Sequence, residues 1–275
     1  MTTIYHFSGA GNDFVVIDGR ESDVSAFREV PRIQALCKAY KTDGLMILGS
    51  GEASVDFTME FYNPDGSGGM MCGNGGRCIV AFADYLGIHP AECERSAEGV
   101  TAAPGVFLFR APDGLHTGEI LARPEDGLWE VRIKMIDVQG ITPMLGGYFL
   151  NTGTRHFVKF VPDVEQVDID TEGKALRWNE AFAPVGTNVN FVHVAPDGLH
   201  VRTFEKGVEG ETLACGTGLT ACALVAHHAG VPAATPGVYR LRARQDWLSV
   251  NFTPGADEKF TDVYLTGPAR LLEIL

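Results

Sequence analysis

Residues 71–87 of the chain read MCGNGGRCIVAFADYLG, and residues 214–230 read ACGTGLTACALVAHHAG. The two stretches align without a gap at an offset of 143 residues, which places Cys72 on Cys215 and Gly87 on Gly230. In each stretch a Cys-Gly-x-Gly loop precedes a run of mostly apolar residues, and a helix that is apolar nearly all round is a buried one. The pattern predicts two buried helices, over Gly75–Leu86 and Gly218–His228.

The same offset matches sequence outside these two loops. Phe14-Val15 falls on Phe157-Val158, Phe61 falls on Phe204, and the strand-like run Leu45–Leu48 falls on Asn188–Phe191. Chance similarity between two glycine-rich loops would not keep one register over four separated blocks, so the chain reads as a tandem duplication. We expect the two halves to pack about a pseudo-twofold axis, with the equivalent loops face to face.

Short β-prone runs fill much of the remaining sequence, many of them alternating apolar and polar residues between Gly, Pro, Asp or Asn. A third helix is predicted over Pro31–Tyr40, with proline in its first turn. The expected fold is therefore of the α+β (α/β) class. The predicted strands are Ile4–Phe7, Phe14–Ile17, Leu45–Leu48, Val55–Tyr62, Val106–Phe109, Trp129–Ile133, Asn188–Val194, Leu199–Phe204, Tyr239–Ala243, Leu248–Phe252 and Val263–Leu265.

The duplication predicts two domains, residues 1–117 with Cys72 and residues 118–265 with Cys215. The segment Arg110–Gly118 (RAPDGLHTG) is the best linker candidate, because it combines Pro, Asp and Gly between two groups of strands. We expect the C-terminal strand, residues 266–275, to cross back and complete the first domain.

The composition argues against a protein that binds nucleic acid or a membrane. The 275 residues carry a formal net charge of −13, and no long Lys/Arg cluster is present, which argues against nucleic acid or an anionic membrane as a partner. The apolar runs are far shorter than the roughly 20 residues that cross a bilayer, and no signal peptide is recognisable. A cytoplasmic enzyme that acts on a small molecule, with its six cysteines reduced, is expected.

The chemistry of the two loops follows from their cysteines and glycines. A cysteine at a helix N-terminus lies beside free N–H groups and the positive end of the helix dipole, which favour its thiolate form. Glycines let the backbone approach a ligand and present amide donors to a carboxylate. Two such loops on opposite sides of one carbon could remove a proton from one face and return one to the other, which inverts the carbon.

Four segments carry a resemblance to diaminopimelate epimerases, in the expected order and over the whole chain: GAGNDFVVID (Gly9–Asp18), FYNPDGSGGMMCGNGGRC (Phe61–Cys78), GTNVNFV (Gly186–Val192) and FEKGVEGETLACGTG (Phe204–Gly218). The resemblance implies two homologous domains, each a strongly curved sheet or barrel around a central helix. It also implies a homodimer that interconverts LL- and meso-diaminopimelate without pyridoxal phosphate or metal, for lysine and peptidoglycan synthesis.

Site residues are carried over from this resemblance position by position. The catalytic thiols would be Cys72 and Cys215, assisted by His156 and Glu205. The expected substrate-binding residues are Asn12, Asn63, Gly73, Asn74, Thr154, Arg155, Asn188, Glu205, Lys206, Gly216 and Thr217.

The chain departs from the family pattern around the second loop. Lys206 stands where an arginine is expected, and Thr154-Arg155 stands where Asn-Pro is expected. The run Gly207–Glu211 is one residue longer than usual. Because lysine cannot bind a carboxylate bidentately as arginine does, we expect either Arg155 or Lys206 to supply the contact with the distal carboxylate.

Other interpretations remain open at this point. The paired cysteines are also compatible with a proline- or hydroxyproline-type racemase, and with a redox sensor in which Cys72 and Cys215 form a reversible disulfide. An enzyme of the phenazine-biosynthesis type would typically lack one or both cysteines. Cys78 and Cys222 lie within the apolar helices and are expected in the core.

Overall fold

The computed structural model describes residues 2–52, 54–69, 71–233 and 235–275, which form two compact units. The first unit comprises the residues up to Ile133 together with Gly267–Leu275, and the second comprises Lys134–Thr266. Within the described residues, no helix is long and apolar enough to span a membrane.

The helices are α1 (Val30–Tyr40), α2 (Gly73–Tyr85), α3 (Lys174–Arg177) and α4 (Gly216–His228), with short 3-10 or π turns at Ser25–Arg28, Val164–Gln166, Ile169–Gly173 and Glu180–Phe182. The strands are β1 (Ile4–Gly9), β2 (Asn12–Asp18), β3 (Gly44–Ser50), β4 (Phe57–Tyr62), β5 (Arg95–Ala97), β6 (Val100–Ala102), β7 (Phe107–Ala111), β8 (Gly114–Glu125), β9 (Leu128–Lys134), β10 (Val138–Gln139), β11 (Thr142–Met144), β12 (Gly147–Asn151), β13 (Arg155–Phe160), β14 (Asn188–Ala195), β15 (Gly198–Glu205), β16 (Gly210–Thr212), β17 (Val238–Arg242), β18 (Trp247–Pro254) and β19 (Lys259–Ile274).

Eight strands close a ring in the first unit. In order they are β1, β2, β3, β4, β7, β8, β9 and the last part of β19, which pairs with β9 through Gly267–Arg270 and with β1 through Arg270–Ile274. Only the β2–β3 and β4–β7 pairs are parallel. Parallel neighbours need a long crossover, and α1 and α2 lie in these two connections.

The second unit repeats this arrangement with β12, β13, β14, β15, β17, β18 and the first part of β19. Its eighth position is the segment Val138–Met144, in which β10 pairs with β19 and β11 pairs with β12. The parallel pairs again fall second and fourth, at β13–β14 and β15–β17. Both units are therefore eight-stranded barrels of one topology, which confirms the predicted fold class.

The duplication is also visible in pairing register and helix bounds. Met46 pairs with Phe61, and the residues 143 positions later, Val189 and Phe204, also pair. The first and last residues of α4 each lie 143 positions after those of α2.

Each long apolar helix packs inside its own barrel. In α2 every residue from Gly73 to Ala83 is buried, and the helix contacts β1, β2, β3 and β8. In α4 the residues from Leu219 to Ala226 are all buried, and the helix contacts strands β12–β15 as well as β17 and β18. Both helices contact strands on several sides, which explains why their sequences are apolar for most of their length.

Every strand and helix predicted from the sequence overlaps an observed element, but the linker prediction is wrong. The segment Arg110–Gly118 forms the β7–β8 hairpin, in which Ala111 pairs with Gly114. Pro, Asp and Gly mark a tight turn there, a signal that a linker shares. The first unit consequently extends past residue 117 to Ile133, and residues 267–275 complete it.

Candidate active site

Cys72 is the N-cap of α2. Its backbone is extended (φ −104°, ψ 152°), and its Sγ accepts a hydrogen bond from the Gly75 N–H at 3.3 Å. The side chain is exposed, and the first turn of the helix contains no acidic residue. A sulfur in this position receives an amide hydrogen and lies at the positive end of the helix dipole, so its thiolate form is favoured.

A buried arginine orients the polar side chains beside this cysteine. Arg77 is fully buried; its Nη1 donates to the Gly73 carbonyl at 3.2 Å and its Nη2 donates to Asn74 Oδ1 at 2.9 Å. Asn74 Nδ2 in turn donates to Asn12 Oδ1, and Asn12 Nδ2 donates to Asp43 Oδ2 at 3.1 Å. Since a guanidinium can only donate, this chain fixes the amide orientation of both asparagines.

Asn63 follows β4 in the connection that leads to Cys72. Its Nδ2 donates to Ser67 Oγ at 3.0 Å, and its backbone N–H donates to the Ser67 carbonyl at 2.9 Å. Asp65 holds Ser67 in turn through both its N–H and its hydroxyl. The side chain of Asn63 is therefore positioned by its own turn.

Cys215 occupies the equivalent N-cap position of α4, again with an extended backbone (φ −119°, ψ 107°). It differs from Cys72 in its surroundings, because it is 8% exposed and its Sγ lies 3.5 Å from Thr217 Oγ1. The two duplicated cysteines thus share a backbone position and differ in the groups around sulfur.

His156 lies at the centre of a polar network in the second unit. Its Nε2 is 2.9 Å from both Thr154 Oγ1 and Thr217 Oγ1, and its Nδ1 is 3.1 Å from Asn190 Nδ2. The ring is completely buried, and this burial lowers the pKa of His156 to about 3. The imidazole is therefore neutral at physiological pH.

Asn188 connects this network to the loop after β15. Its Nδ2 donates to the Arg155 carbonyl at 2.9 Å and to Thr154 Oγ1 at 3.2 Å, while its Oδ1 accepts the Lys206 N–H at 2.8 Å. Glu205, the last residue of β15, accepts a hydrogen bond from Thr212 Oγ1 at 2.8 Å. Thr154, His156 and Asn188 are thus joined to Thr217 in the first turn of α4, whereas Glu205 contacts Thr212.

The two candidates for the distal carboxylate contact differ in their surroundings. The Arg155 guanidinium donates to the Phe182 carbonyl at 3.1 Å and stacks over the Phe149 ring at 5.1 Å. Lys206 lies in the exposed four-residue turn between β15 and β16.

A charged contact fastens this turn to α3. Glu209 Oε1 accepts from Arg177 Nη2 at 3.0 Å, from Arg177 Nε at 3.2 Å and from the Gly207 N–H at 3.1 Å. Burial raises the pKa of Glu209, but the Gly207 N–H and Arg177 outweigh it and lower the pKa below its ordinary value. Glu209 itself has a left-handed backbone (φ +59°), so the longer turn is held in a strained conformation.

The N-termini of α2 and α4 present backbone donors. The first intrahelical bonds run from Gly76 N–H to the Cys72 carbonyl and from Leu219 N–H to the Cys215 carbonyl. The amides of Gly73 and Asn74, and those of Gly216 and Thr217, therefore precede the hydrogen-bonded part of each helix. Such amides form a site for an anion, including a carboxylate.

Several residues in these networks are not evident from the sequence as site residues: Asp43, Arg177, Asn190 and Glu209. The clearest missed signal is Asn190, which lies two positions after Asn188 on one strand and therefore on the same face. Cys78 and Cys222 are in the core as expected, and burial raises the pKa of both thiols.

Comparison with known proteins gives a consistent picture. The family profile described as "Diaminopimelate epimerase" matches residues 4–99 and 148–270. A diaminopimelate epimerase of Chlorobaculum tepidum is 38% identical over 273 residues, covering 96% of each chain, and one of Aquifex aeolicus is 38% identical over 274 residues, covering 96% of this chain and 93% of the relative.

Solved structures support the fold at greater evolutionary distance. A phenazine biosynthesis protein of the PhzF family from Bacillus anthracis superposes with a TM-score of 0.70 at 11% identity, covering 100% of this chain and 98% of that one. Identity this low establishes a shared fold and carries no information about activity.

Proposed function

The chain belongs to the diaminopimelate epimerase family, and on this basis we propose that it interconverts LL- and meso-diaminopimelate by a two-thiol mechanism. The observation that carries the proposal is the duplicated N-cap cysteine, because Cys72 and Cys215 occupy equivalent positions at the starts of two equivalent helices. The activity is that of an isomerase in the biosynthesis of lysine and of peptidoglycan precursors.

In the proposed reaction one cysteine begins as thiolate and the other as thiol. The thiolate takes the α-proton, the S–H bond forms as the Cα–H bond breaks, and the electron pair remains on the α-carbon beside the carboxylate. The second thiol then delivers its own proton to the opposite face and becomes the thiolate. The two cysteines end with exchanged protonation states, so the enzyme is ready for the reverse reaction.

The helix N-termini supply what this carbanion needs. As the α-proton leaves, negative charge spreads onto the α-carboxylate, and amide donors aimed at that group stabilise the charge as it develops. We assign this role to the amides of Gly73-Asn74 and Gly216-Thr217. The assignment is supported by the first turns of both helices, which contain no acidic residue to repel the carboxylate. Asn12, Asn63, Thr154 and Asn188 would bind the remaining polar groups of the substrate, and Glu205 would accept a hydrogen bond from an ammonium group.

For the distal carboxylate we propose Lys206. Its backbone is positioned by the Asn188 amide and its turn by the Arg177–Glu209 pair, so the ammonium group extends from a fixed base. The guanidinium of Arg155 already binds the Phe182 carbonyl and the Phe149 ring, and would have to leave both to reach a ligand. Lysine makes a single-point contact where arginine makes a bidentate one.

The broader setting is proposed from the same membership. We propose that the enzyme acts in the cytoplasm as a homodimer, because biosynthesis of an amino acid draws on cytoplasmic intermediates and the resemblance implies a dimer.

The assignment is tested by incubating the protein with LL-diaminopimelate under reducing conditions, without added pyridoxal phosphate, and separating the stereoisomers by chiral chromatography. Formation of the meso isomer is expected, with no racemisation of proline or trans-4-hydroxyproline. Racemisation of proline without epimerisation of diaminopimelate would instead favour the proline-racemase interpretation. Absence of turnover with every substrate, before and after reduction, would favour the redox sensor.

A further inference from the structure

Behind His156, and outside the residues assigned so far, lies a buried amide that faces the ring. We propose that Asn190 is a positioning residue that keeps the proton of His156 on Nε2, so that the Thr217 hydroxyl donates toward Cys215 Sγ. The functional part of this inference rests on the proposed role of Cys215.

The orientation of the Asn190 amide is fixed by a backbone carbonyl. Asn190 Nδ2 lies 3.1 Å from the Phe157 carbonyl oxygen, which can only accept. On its other side, Asn190 Oδ1 is 2.9 Å from Thr203 Oγ1, which donates to it. The nitrogen of the amide therefore faces both Phe157 and His156, and Asn190 is completely buried, so water does not compete for these contacts.

This orientation decides the tautomer of His156. The second hydrogen of Asn190 Nδ2 points to His156 Nδ1 at 3.1 Å, so Nδ1 must be the acceptor. A neutral imidazole carries one proton, which therefore lies on Nε2. Burial keeps the ring neutral, since a low pKa prevents it from taking a second proton.

The Nε2 proton then sets the direction of the hydroxyls. Thr154 Oγ1 already accepts a hydrogen bond from Asn188 Nδ2, and Asn188 is itself fixed because its Nδ2 donates to the Arg155 carbonyl. Because Nε2 is protonated, neither threonine can donate to it; Nε2–H lies 2.9 Å from both Thr154 Oγ1 and Thr217 Oγ1. The Thr154 hydroxyl therefore donates to Thr217 Oγ1 at 3.4 Å, and the Thr217 hydroxyl hydrogen points to Cys215 Sγ at 3.5 Å. Each donor in the series Asn190, His156 and Thr217 is directed toward the sulfur.

The consequence is that His156 supports the thiolate of Cys215 as a donor and does not act as its base. In the other tautomer Nε2 would accept from Thr217, the hydroxyl would turn away from the sulfur, and the thiol would lose a donor. A charge-bearing sulfur gains more from a hydrogen bond than a neutral thiol does.

This arrangement belongs to the second half of the duplication alone. At the offset of 143 residues, His156 corresponds to Asp13 and Asn190 corresponds to Ile47. Near Cys72 the sulfur accepts from the Gly75 amide instead. The sequence repeat predicts interchangeable loops, whereas the two sulfurs are stabilised by different donors.

The inference is tested first in the wild-type protein, by nitrogen NMR of the protein labelled with ¹⁵N at histidine. A His156→Gln variant identifies the His156 signals among those of the eight histidines. We expect a protonated Nε2 and an unprotonated, hydrogen-bonded Nδ1 between pH 6 and 8. A proton on Nδ1 would overturn the inference, and this result does not depend on any enzymatic activity.

The effect on Cys215 is tested with Asn190→Asp, whose carboxylate would attract a proton to Nδ1, and with Thr217→Val, which lacks the hydroxyl. In both variants, alkylation of Cys215 by iodoacetamide at pH 7 should slow by about tenfold, while alkylation of Cys72 stays within twofold. For Asn190→Asp we expect the kcat of epimerisation to fall by roughly tenfold or more, with KM within threefold and a shifted pH profile.

Thr203→Val is the matched control, because the Phe157 carbonyl still orients Asn190 after the threonine donor is lost. Its kcat and its Cys215 alkylation rate should stay within about threefold of the wild type. If Asn190→Asp does not fold, Thr217→Val gives the alkylation result alone. An unchanged rate of Cys215 alkylation in folded Asn190→Asp or folded Thr217→Val would overturn the inference. Full activity of Cys215→Ala would refute the proposed function instead.

Discussion

Arg177 Nη2 lies 3.0 Å from Glu209 Oε1, and this contact closes the turn that presents Lys206. The arginine side chain is 6% exposed, whereas that of the glutamate is 39% exposed. Arg177 is tightly enclosed, because a Cβ built on Gly186 would lie 1.5 Å from its Nη1. The enclosed Arg177 therefore fixes the exposed side chain of Glu209, and the turn that contains Lys206 is held in place against α3.

Replacing Glu209 should uncouple the turn from α3. In Glu209→Gln one oxygen can still accept from Arg177, whereas Glu209→Ala leaves a nearly buried guanidinium without its counter-ion, at a cost of about 2 kcal/mol in the free energy of unfolding. We expect KM for diaminopimelate to rise in the order wild type, Gln, Ala. Urea denaturation and steady-state kinetics measure both effects, and an unchanged KM in Glu209→Ala would show that the turn does not position Lys206.

The substitution Lys206→Ala should weaken binding of diaminopimelate by removing its distal carboxylate contact. A loss of about 1.5–3 kcal/mol in the free energy of substrate binding corresponds to an increase in KM of roughly 10–100-fold. Lysine, which is diaminopimelate without that carboxylate, provides the control, because its slow α-proton exchange should be the same in both proteins. In Lys206→Arg the KM for diaminopimelate should stay close to the wild-type value, because arginine also carries a positive charge.

The competing candidate is tested in the same assay. Arg155→Ala should leave the discrimination between diaminopimelate and lysine within about threefold, since Arg155 contacts the Phe182 carbonyl and the Phe149 ring. If Arg155→Ala abolished the discrimination and Lys206→Ala retained it, the distal contact would belong to Arg155. Unchanged discrimination in both variants would exclude both residues.

Gly218 should not tolerate a side chain. A Cβ at this position would lie 2.4 Å from Asn190 Oδ1 and 3.3 Å from His156 Cε1, inside the network next to Cys215. At the equivalent Gly75, a Cβ would meet only sulfur atoms, at 3.3 and 3.4 Å, and a ring carbon at 3.6 Å. We expect Gly218→Ala to be destabilised by about 1–3 kcal/mol and to lose most activity.

Gly75→Ala is the matched comparison for this prediction, since it makes the same change at the duplicated position. It should lose less stability than Gly218→Ala, as measured by thermal and urea denaturation of both variants. Equal losses would mean that the cost arises from the helix N-terminus in general and not from the network around Asn190.

Stability should fall in mild acid because of His156. Its pKa is about 3 in the folded protein and 6.5 in the unfolded chain, so folding is favoured by the neutral ring above pH 6.5. As the pH falls below 6.5, the unfolded chain takes up a proton that the folded protein refuses, and the free energy of unfolding decreases by about 1.4 kcal/mol per pH unit. Between pH 6.5 and 4.5 this loss amounts to roughly 2–3 kcal/mol.

The measurement is the difference in free energy of unfolding between the wild type and His156→Gln, followed from pH 7.5 to 4.5. Taking the difference cancels the carboxylates that titrate in both proteins. The variant should be less stable at pH 7.5 and should lose less on acidification. Parallel curves for the two proteins would mean that His156 is not buried in its neutral form.

The sequence predicts the fold well because duplication and burial leave strong local signals. Two apolar helices that begin after Cys72 and Cys215, in a constant register with matching strands, indicate two equivalent halves. The barrel in each half is what the resemblance to diaminopimelate epimerases implies. The misplaced boundary has a physical reason, since Pro, Asp and Gly near residue 113 produce a hairpin turn that looks like a linker. Residues 266–275, which are predicted from the sequence to complete the first domain, lie in β19 up to Ile274, and from Gly267 onward this strand pairs with β9 and β1.

The candidate site is predicted in part, for a similar reason. Residues with a motif, such as Asn74 and Thr217, are recognisable in the sequence. The side chains that orient them are not, because Asn190 acts through its contact with Phe157 and Glu209 acts through Arg177, which is 32 residues away in the chain. The tautomer of His156 depends on such contacts, and no sequence pattern indicates it.

Deuterium exchange at the α-carbon shows whether Cys72 and Cys215 together move one α-proton. Reduced protein and LL-diaminopimelate are mixed in D₂O without pyridoxal phosphate, and deuterium at the α-carbon is followed by NMR and mass spectrometry. We expect incorporation and epimerisation by the wild type and by the exposed-cysteine control Cys93→Ala. We expect a loss of epimerisation of at least about 10³-fold in Cys72→Ala and in Cys215→Ala. Absence of exchange in the wild type, or wild-type epimerisation in either variant, would contradict the two-thiol mechanism.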